Sequence, residues 1–558
     1  MFKPGTPADK HLRNSKHFDA KLTVETLEAM ILLSGSCGGL VAHAVGEHCS
    51  DANVETDQCD AYDTTLHHTS NCSGNTTHFD PFCEPAPTHC KPVAYDCAAD
   101  KPVEPPASDD FDSILEWNDV MLEANAADHA RTRPEQGGPI LTARAFAIVS
   151  AAMYDAYNSV EHIGSDYLVK APFTNGANSD AAVAQAAYQA LVELFPSQRD
   201  TFDSELKESL ARIADGASED LGRAVGKHVA DQILATRELD NYEKLNSVGK
   251  YVPNGKPGFH DVDPLNPNQG FYGAGAMEIN PFAIESVDQF QSAPLDDGTP
   301  EGRLAFMQSE KYRLAYEEVK ALGGDGITTP TTRTAEQTEI GKYWGYDGRP
   351  DIGTPPRLYN QIVRHIAEQE DNTEAENARL FALVNISMAD AGITSWNTKY
   401  DDAFWRPILG VRGGDNDGNP DTIGDAEWRP LGAPASNPRA GETNFTPNFP
   451  AYTSGHATFG AATFQTLARF YGTDNIHFTF VSDELNGKTI DADGSIRPLV
   501  ERSFSSLTEA KVENAQSRIY LGIHWAFDAT DGIKMGDAVA DFVFDNVLKT
   551  NSSPRVYS

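Results

Sequence analysis

One stretch of this chain occurs twice, and that repetition constrains its fold more than any other feature. Ala143-Arg-Ala-Phe-Ala-Ile-Val-Ser-Ala-Ala-Met-Tyr-Asp-Ala156 aligns without gaps on Ala378-Arg-Leu-Phe-Ala-Leu-Val-Asn-Ile-Ser-Met-Ala-Asp-Ala391. Eight of the fourteen positions are identical, at a separation of 235 residues. Solenoid units repeat every 20–50 residues or so, roughly, and a period this long therefore signals a duplicated domain. Apolar residues recur at helical spacing over 114–126, 143–159, 181–194 and 218–239, whereas strand-like alternation is scarce. The expected fold class is all-α, with two helical bundles related by the internal duplication. Expected boundaries are 1–105 for a Cys-rich, mostly irregular N-terminal extension and linker, 106–330 for the first bundle and 331–558 for the second.

The extension has its own chemistry. All seven cysteines lie between Cys37 and Cys97, and none occurs in the 461 residues that follow. Cys49, Cys59, Cys72, Cys83, Cys90 and Cys97 form an even set. No two of them are as close as the pairs of structural zinc sites. A disulfide framework is expected, and with it an oxidising compartment, so that the chain is read as secreted or periplasmic. Residues 27–45 come nearest to a signal segment, but Glu28, His43, glycines and serines dilute them. No apolar run is long enough to span a membrane as a helix. Asp and Glu number 82 against 44 Lys and Arg, a net charge of −38. Phosphate backbones and anionic lipid are poor partners for such a surface, which excludes broad nucleic-acid binding.

Three short stretches of the second half concentrate groups suited to an oxyanion. In Ser395-Trp-Asn-Thr-Lys399-Tyr-Asp-Asp-Ala-Phe-Trp-Arg406-Pro407 the two cations are seven residues apart, and the spacing predicts that both project from one helix face. Tryptophans and a phenylalanine surround them, which implies burial, and a buried cation needs an anion. In Phe449-Pro-Ala-Tyr-Thr-Ser454-Gly455-His456-Ala-Thr-Phe-Gly460 a loop enters a helix, whose free N–H groups and dipole favour an anion. In Ser517-Arg518-Ile-Tyr-Leu-Gly522-Ile-His524-Trp-Ala-Phe-Asp528, Asp528 lies one helical turn beyond His524, where a carboxylate orients an imidazole. The target expected from three cations, two histidines, a serine and a glycine N–H is phosphate or its larger congener, vanadate.

The pattern Lys-x6-Arg-Pro, Ser-Gly-His, then Ser-Arg-x3-Gly-x-His-x3-Asp resembles the vanadium-dependent haloperoxidases, chloroperoxidase-like members included. These share their anion site with the type 2 phosphatidic acid phosphatases. Tyr343-Trp-Gly-Tyr-Asp-Gly, Ile352-Gly-Thr-Pro-Pro-Arg-Leu-Tyr-Asn-Gln-Ile-Val-Arg364, Asp483-Glu-Leu-Asn-Gly487 and Trp117-Asn-Asp-Val-Met-Leu-Glu extend the resemblance over roughly residues 111–550. It implies a vanadate (vanadium V) cofactor with His524 as the axial vanadium ligand. Lys399, Arg406, Ser454, the Gly455 N–H and Arg518 would bind the equatorial oxygens, and His456 would be the acid–base histidine. Asp347 would pair with Arg518, while Trp396 and Phe449 would wall the site. One departure is Thr453, which precedes Ser454 where the family usually has proline; losing a fixed φ is expected to loosen that loop.

The reaction so implied is oxidation of halide by hydrogen peroxide, with halogenation of an organic acceptor. His456 would accept a proton, and Lys399 would polarise the reacting oxygen. Phe449 occupies the position at which chloroperoxidase-like members carry an aromatic hydrocarbon, so chloride is expected beside bromide. Two alternatives stay open: an acid phosphatase with His524 as nucleophile and His456 as general acid, and a secreted oxyanion-binding or interaction protein. The Asp415-Asn-Asp417-Gly-Asn419-Pro-Asp421 loop has calcium-like spacing but no glutamate at the twelfth position, and is read as a solvated acidic loop.

Overall fold

The computed structural model describes residues 111–551, apart from 248 and 250. The cysteine framework and signal segment expected from the sequence lie outside these residues. The first half contains α1 (Ser113–Ala130), α2 (Pro139–Glu161), α3 (Ser179–Leu194), α4 (Arg199–Leu210) and α5 (Ala217–Arg237). A long connection with short 3-10 turns leads to α6 (Pro300–Met307), α7 (Glu310–Leu322), α8 (Ala335–Tyr343), α9 (Pro355–Gln369) and α10 (Glu374–Asp402). Then come α11 (Pro407–Arg412), α12 (Gly455–Tyr471), the strands β1 (Phe478–Asn486) and β2 (Leu499–Phe504), α13 (Leu507–Tyr520) and α14 (Ala526–Asn546). The antiparallel β1–β2 pair, with Phe478 opposite Phe504, is an addition to the helical body that the sequence reading did not anticipate.

The repeated stretches are the centres of α2 and α10, which pack against each other. Both helices are buried nearly all round, as expected of core helices. Proline at the first position starts α2, and a Thr373/Glu376 capping box starts α10. The matched aspartates do matching work. Asp155 accepts the backbone N–H groups of Tyr167, Leu168 and Val169 at 2.6, 2.9 and 2.8 Å. Asp390 accepts those of Phe282, Ala283 and Ile284 at 2.6, 2.7 and 2.9 Å. Ser150 and Asn385, also related by the repeat, touch each other: the Asn385 amide donates to Ser150 Oγ at 2.9 Å. Equivalent positions meet in this way only near a two-fold axis.

The symmetry extends beyond the repeated stretch. α5 packs on α3 through Gly222 and Gly226, where a Cβ would lie 2.3 Å from Asn178 O and 2.1 Å from Ala182 O. α14 packs on α12 through Gly532 and Gly536, where a Cβ would lie 2.9 Å from Ser454 O and 2.3 Å from Thr458 O. The N–H of Asn178 donates to Ser218 O at 3.0 Å, and that of Ser454 donates to Asp528 O at 2.9 Å. Helices α2, α3 and α5 thus correspond to α10, α12 and α14, with Asn178 in the place of Ser454 and Ser218 in that of Asp528. One hydrophobic core runs through residues of both groups.

The acidic 415–421 loop differs from expectation. Asp417 is fully buried, accepting from Asn419 N at 2.8 Å and Thr422 Oγ1 at 2.7 Å, so part of the loop is a packed polar turn instead of a solvated one.

Candidate active site

Lys399 and Arg406 converge by a route other than the one their spacing predicts. α10 ends at Asp402, Ala403 turns into the left-handed region at φ 52°, and Arg406 caps the start of α11. The two side chains meet across this break instead of sharing a helix face. Lys399 is fully buried; its ammonium donates to the carbonyls of Pro450 at 3.2 Å, Ala451 at 3.1 Å and Thr453. Burial, then the neighbouring Arg406 charge, holds its pKa well below the usual lysine range. Arg406 donates through Nε to Phe449 O at 2.8 Å and through Nη1 to Ile523 O at 2.7 Å. Burial lowers it to about 9. Phe449 and Trp396 pack with ring centroids 4.7 Å apart, and the Lys399 ammonium lies 5.2 Å from each ring.

Ser454 caps α12, its hydroxyl accepting from Ala457 N, and Gly455 is the first helical residue. A Cβ at Gly455 would sit 2.9 Å from the Trp396 ring, so the aromatic wall and the helix start approach as only glycine permits. Thr453, expected to loosen this loop, is instead buried and tied down, with Oγ1 3.1 Å from Ser395 Oγ and its carbonyl on Lys399. His456 Nε2–H donates to Gly345 O at 2.7 Å, a tautomer assigned from its partner. Burial, with help from Arg518 and against Asp347 and the Gly345 carbonyl, pushes this imidazole down to about 3.

Arg518, near the end of α13, donates through Nη2 to Asp347 Oδ1 at 2.6 Å. His524 stands just before α14, and its Nδ1–H donates to Asp528 Oδ2 at 2.8 Å. That leaves Nε2 with the lone pair, which accepts from Arg406 Nη1 at 2.9 Å. Burial, then Arg406, Lys399 and Arg518, keeps His524 neutral far below the usual histidine range. Burial also raises Asp528 to about 7, against the Trp525 N–H and the Lys399 charge.

The geometry brings every residue expected at the site into one cluster, buried except for the half-buried Asp347 and Phe449, and the cluster has donors to spare. Arg406 Nη2 and Arg518 Nε and Nη1 are buried and have no partner among the described residues. Unpaired guanidinium nitrogens beside a helix N-terminus and a lone-pair imidazole form a donor set for a tetrahedral oxyanion. A cavity of about 290 Å³ leads to His456, Arg518 and His524, with Trp396, Phe449 and Tyr272 on its walls.

Residues 379–552, within the chain's second half, match the family model described as the VCPO second helical-bundle domain. A vanadium chloroperoxidase from Curvularia inaequalis is 36% identical over 511 aligned positions, covering 76% of this chain and 80% of that protein. The chain belongs to the vanadium-dependent haloperoxidases. A bacterial vanadium-dependent iodoperoxidase structure shares the haloperoxidase fold with a TM-score of 0.62 at 22% identity, covering 78% of this chain and 97% of that one. A holo bacterial vanadium-dependent chloroperoxidase does so with a TM-score of 0.56 at 14% identity, covering 77% and 97%. The haloperoxidase cofactor is vanadate, and the unpaired donors of Arg406 and Arg518 fit it.

Several groups of the haloperoxidase site escaped the sequence reading. His129, Pro134 and Gly138 of the first half line the cavity, and His129 Nε2 accepts the Gly138 N–H at 3.3 Å. Gly138, at φ 84°, lies where a Cβ would strike the Tyr272 ring at 2.6 Å. The Gly-Gly-Pro run before α2 was the available signal.

His260 is a further omission. It lines a small cavity beside Arg406, and neither ring nitrogen has a partner among the described residues. Burial, then the Arg406 and Lys399 charges, holds it neutral well below the usual histidine range. An unfolded histidine titrates near 6.5, roughly, so on acidification the unfolded chain takes up this proton first and stability falls. His260→Leu is expected to remove that penalty. Its stability advantage over the parent in denaturant unfolding should widen as the pH falls from about 7 to about 5, and a pH-independent difference would contradict the reading.

Proposed function

We propose that this haloperoxidase oxidises bromide and chloride with hydrogen peroxide to hypohalous acid or its equivalent and halogenates an organic acceptor. Bound vanadate supplies Lewis-acid activation of the peroxide without a change in the metal's oxidation state. Arg406, Ser454, the Gly455 N–H and Arg518 would hold its oxygens, Lys399 would act on them through its buried charge, and His524 Nε2 would offer its lone pair to vanadium. Asp528 keeps that nitrogen unprotonated by accepting a hydrogen bond from Nδ1–H. His456, with its proton on Nε2 and given to Gly345 O, presents Nδ1 as the base that takes a proton from hydrogen peroxide. Asp347 holds Arg518 in place through Nη2, leaving Nε and Nη1 unpaired.

The observation that carries the halide assignment is the Trp396–Phe449 pair packed around the Lys399 ammonium. Neither hydrocarbon face accepts a proton or solvates the ammonium as water would, so the charge acts at a lower local dielectric. That favours oxidation of chloride, the hardest of the three common halides to oxidise. The deciding experiment is a halogenation assay of metal-stripped protein with and without orthovanadate, at acidic pH, with chloride or bromide alone, beside a phosphatase assay. Vanadate is expected to restore both halogenations and phosphate to compete. Bromination without chlorination at about molar chloride would overturn the chloride assignment. Phosphatase turnover without halogenation would overturn the whole reading.

A further inference from the structure

Strand β1 lies against the loop that follows α8, and the two are joined along their length. Ser482 Oγ donates to Tyr343 O at 2.6 Å, and the Tyr343 hydroxyl donates to Phe480 O at 3.0 Å. Asp483 N donates to the Tyr346 hydroxyl at 2.9 Å, and Tyr346 N donates to Glu484 Oε1 at 2.8 Å. Tyr346 has φ 52°, a left-handed conformation that a bulky side chain adopts only where its surroundings impose it. Glu484 is fully buried, and its other oxygen accepts from Ser436 Oγ and Arg497 Nη1. A Cβ at Gly345 would lie 2.5 Å from Glu484 Oε1, so the carboxylate packs directly on the loop backbone.

This loop delivers two groups to the site: the Gly345 carbonyl on His456 Nε2 and the Asp347 carboxylate on Arg518. We infer that Glu484 is a positioning residue for His456. By holding Tyr346 in its left-handed turn, it aims the Gly345 carbonyl at Nε2 and so keeps the Nδ1 lone pair directed to the reacting oxygen. Glu484 touches neither cofactor nor substrate; it acts through the one peptide group whose N–H it accepts and whose carbonyl faces His456. The inference rests on the acid–base role proposed for His456, but its structural half, the tautomer and what sets it, can be read without turnover.

The test uses the full-length protein labelled with ¹⁵N-histidine. In the parent, the His456 signal, identified by its loss in His456→Gln, is expected to show a proton on Nε2, protected from exchange. A proton on Nδ1 instead overturns the inference without any variant. Glu484→Asp keeps the charge for Arg497 and Ser436 but withdraws the carboxylate from Tyr346. It is expected to lose the protected Nε2–H signal and to lower kcat on the order of 10- to 100-fold. Halide KM and vanadate binding by equilibrium dialysis should remain at the parent values. Glu484→Gln, which leaves Arg497 unpaired, should lose stability in addition. A merely structural carboxylate predicts the reverse for Glu484→Asp, with parent kcat and parent signal, and that result overturns the proposal. Absent halogenation in the parent with the Nε2–H signal in place would sink the functional reading while leaving the positioning intact.

Discussion

His524→Ala is expected to leave a folded protein that no longer retains vanadate and no longer oxidises bromide. In the parent, His524 Nε2 carries a lone pair that faces Arg406 Nη1, because Nδ1 keeps the ring proton and donates it in a hydrogen bond to Asp528. Alanine removes that lone pair and leaves Lys399, Arg406 and Arg518 in place. The remaining pocket attracts oxyanions by charge and hydrogen bonding alone. Vanadate should then bind no better than phosphate, with its dissociation constant raised by about 10³-fold or more, a loss of about 4 kcal/mol. Equilibrium dialysis against each anion separates coordination from electrostatics. Parallel loss of both anions would mean that His524 serves only to shape the pocket.

Lys399→Met is expected to have the opposite signature. The ammonium is held by three backbone carbonyls and boxed by Trp396 and Phe449, so little of its orientation depends on an oxyanion being present. Methionine keeps the volume and removes the charge. Vanadate remains bound through His524, Arg406 and Arg518, with modestly weaker affinity. kcat for bromide should fall by about 10²–10³, the effect of deleting one preorganised charge at the reacting oxygen. Chloride oxidation should drop below detection first, because it needs the stronger activation. Retained kcat with lost vanadate would reverse the roles given to Lys399 and His524.

Much of this site was legible because its residues stand in three short segments whose composition has no other economical explanation. Buried cations among tryptophans, a Ser-Gly-His helix start and a histidine four residues before an aspartate all carry local signals. The duplication was legible for a similar reason, since Asp155 and Asp390 each tie down a distant backbone segment and so stand out in two otherwise apolar helices. The path between Lys399 and Arg406 was not. Its break is a left-handed alanine at 403, a conformation that only the tertiary environment imposes and no residue type announces. Nor could spacing reveal the cavity wall contributed by His129, Pro134 and Gly138, which lie more than two hundred residues from the motif. β1 was hidden because its burial pattern alternates only in part, and because its task is to splint a loop instead of building a sheet.

The two-fold relation between the bundles leaves the first with a helix start equivalent to the one that faces the oxyanion in the second. Asn178 stands there for Ser454, and two residues further on Asp180 stands for His456. Asp180 puts a carboxyl in the first turn of α3, Asn178 Oδ1 accepts the Ala181 N–H at 2.7 Å, and the nearby Glu374 accepts the Ser113 N–H at the start of α1 at 3.0 Å. The start of α3 is therefore capped by Asn178 and carries an acidic side chain where α12 carries His456. Duplication produced two equivalent helix starts, and the one in the second bundle adjoins the unpaired nitrogens of Arg406 and Arg518. The second bundle thus keeps its helix start for an anion, while the first lends His129, Pro134 and Gly138 to the wall of the cavity above it.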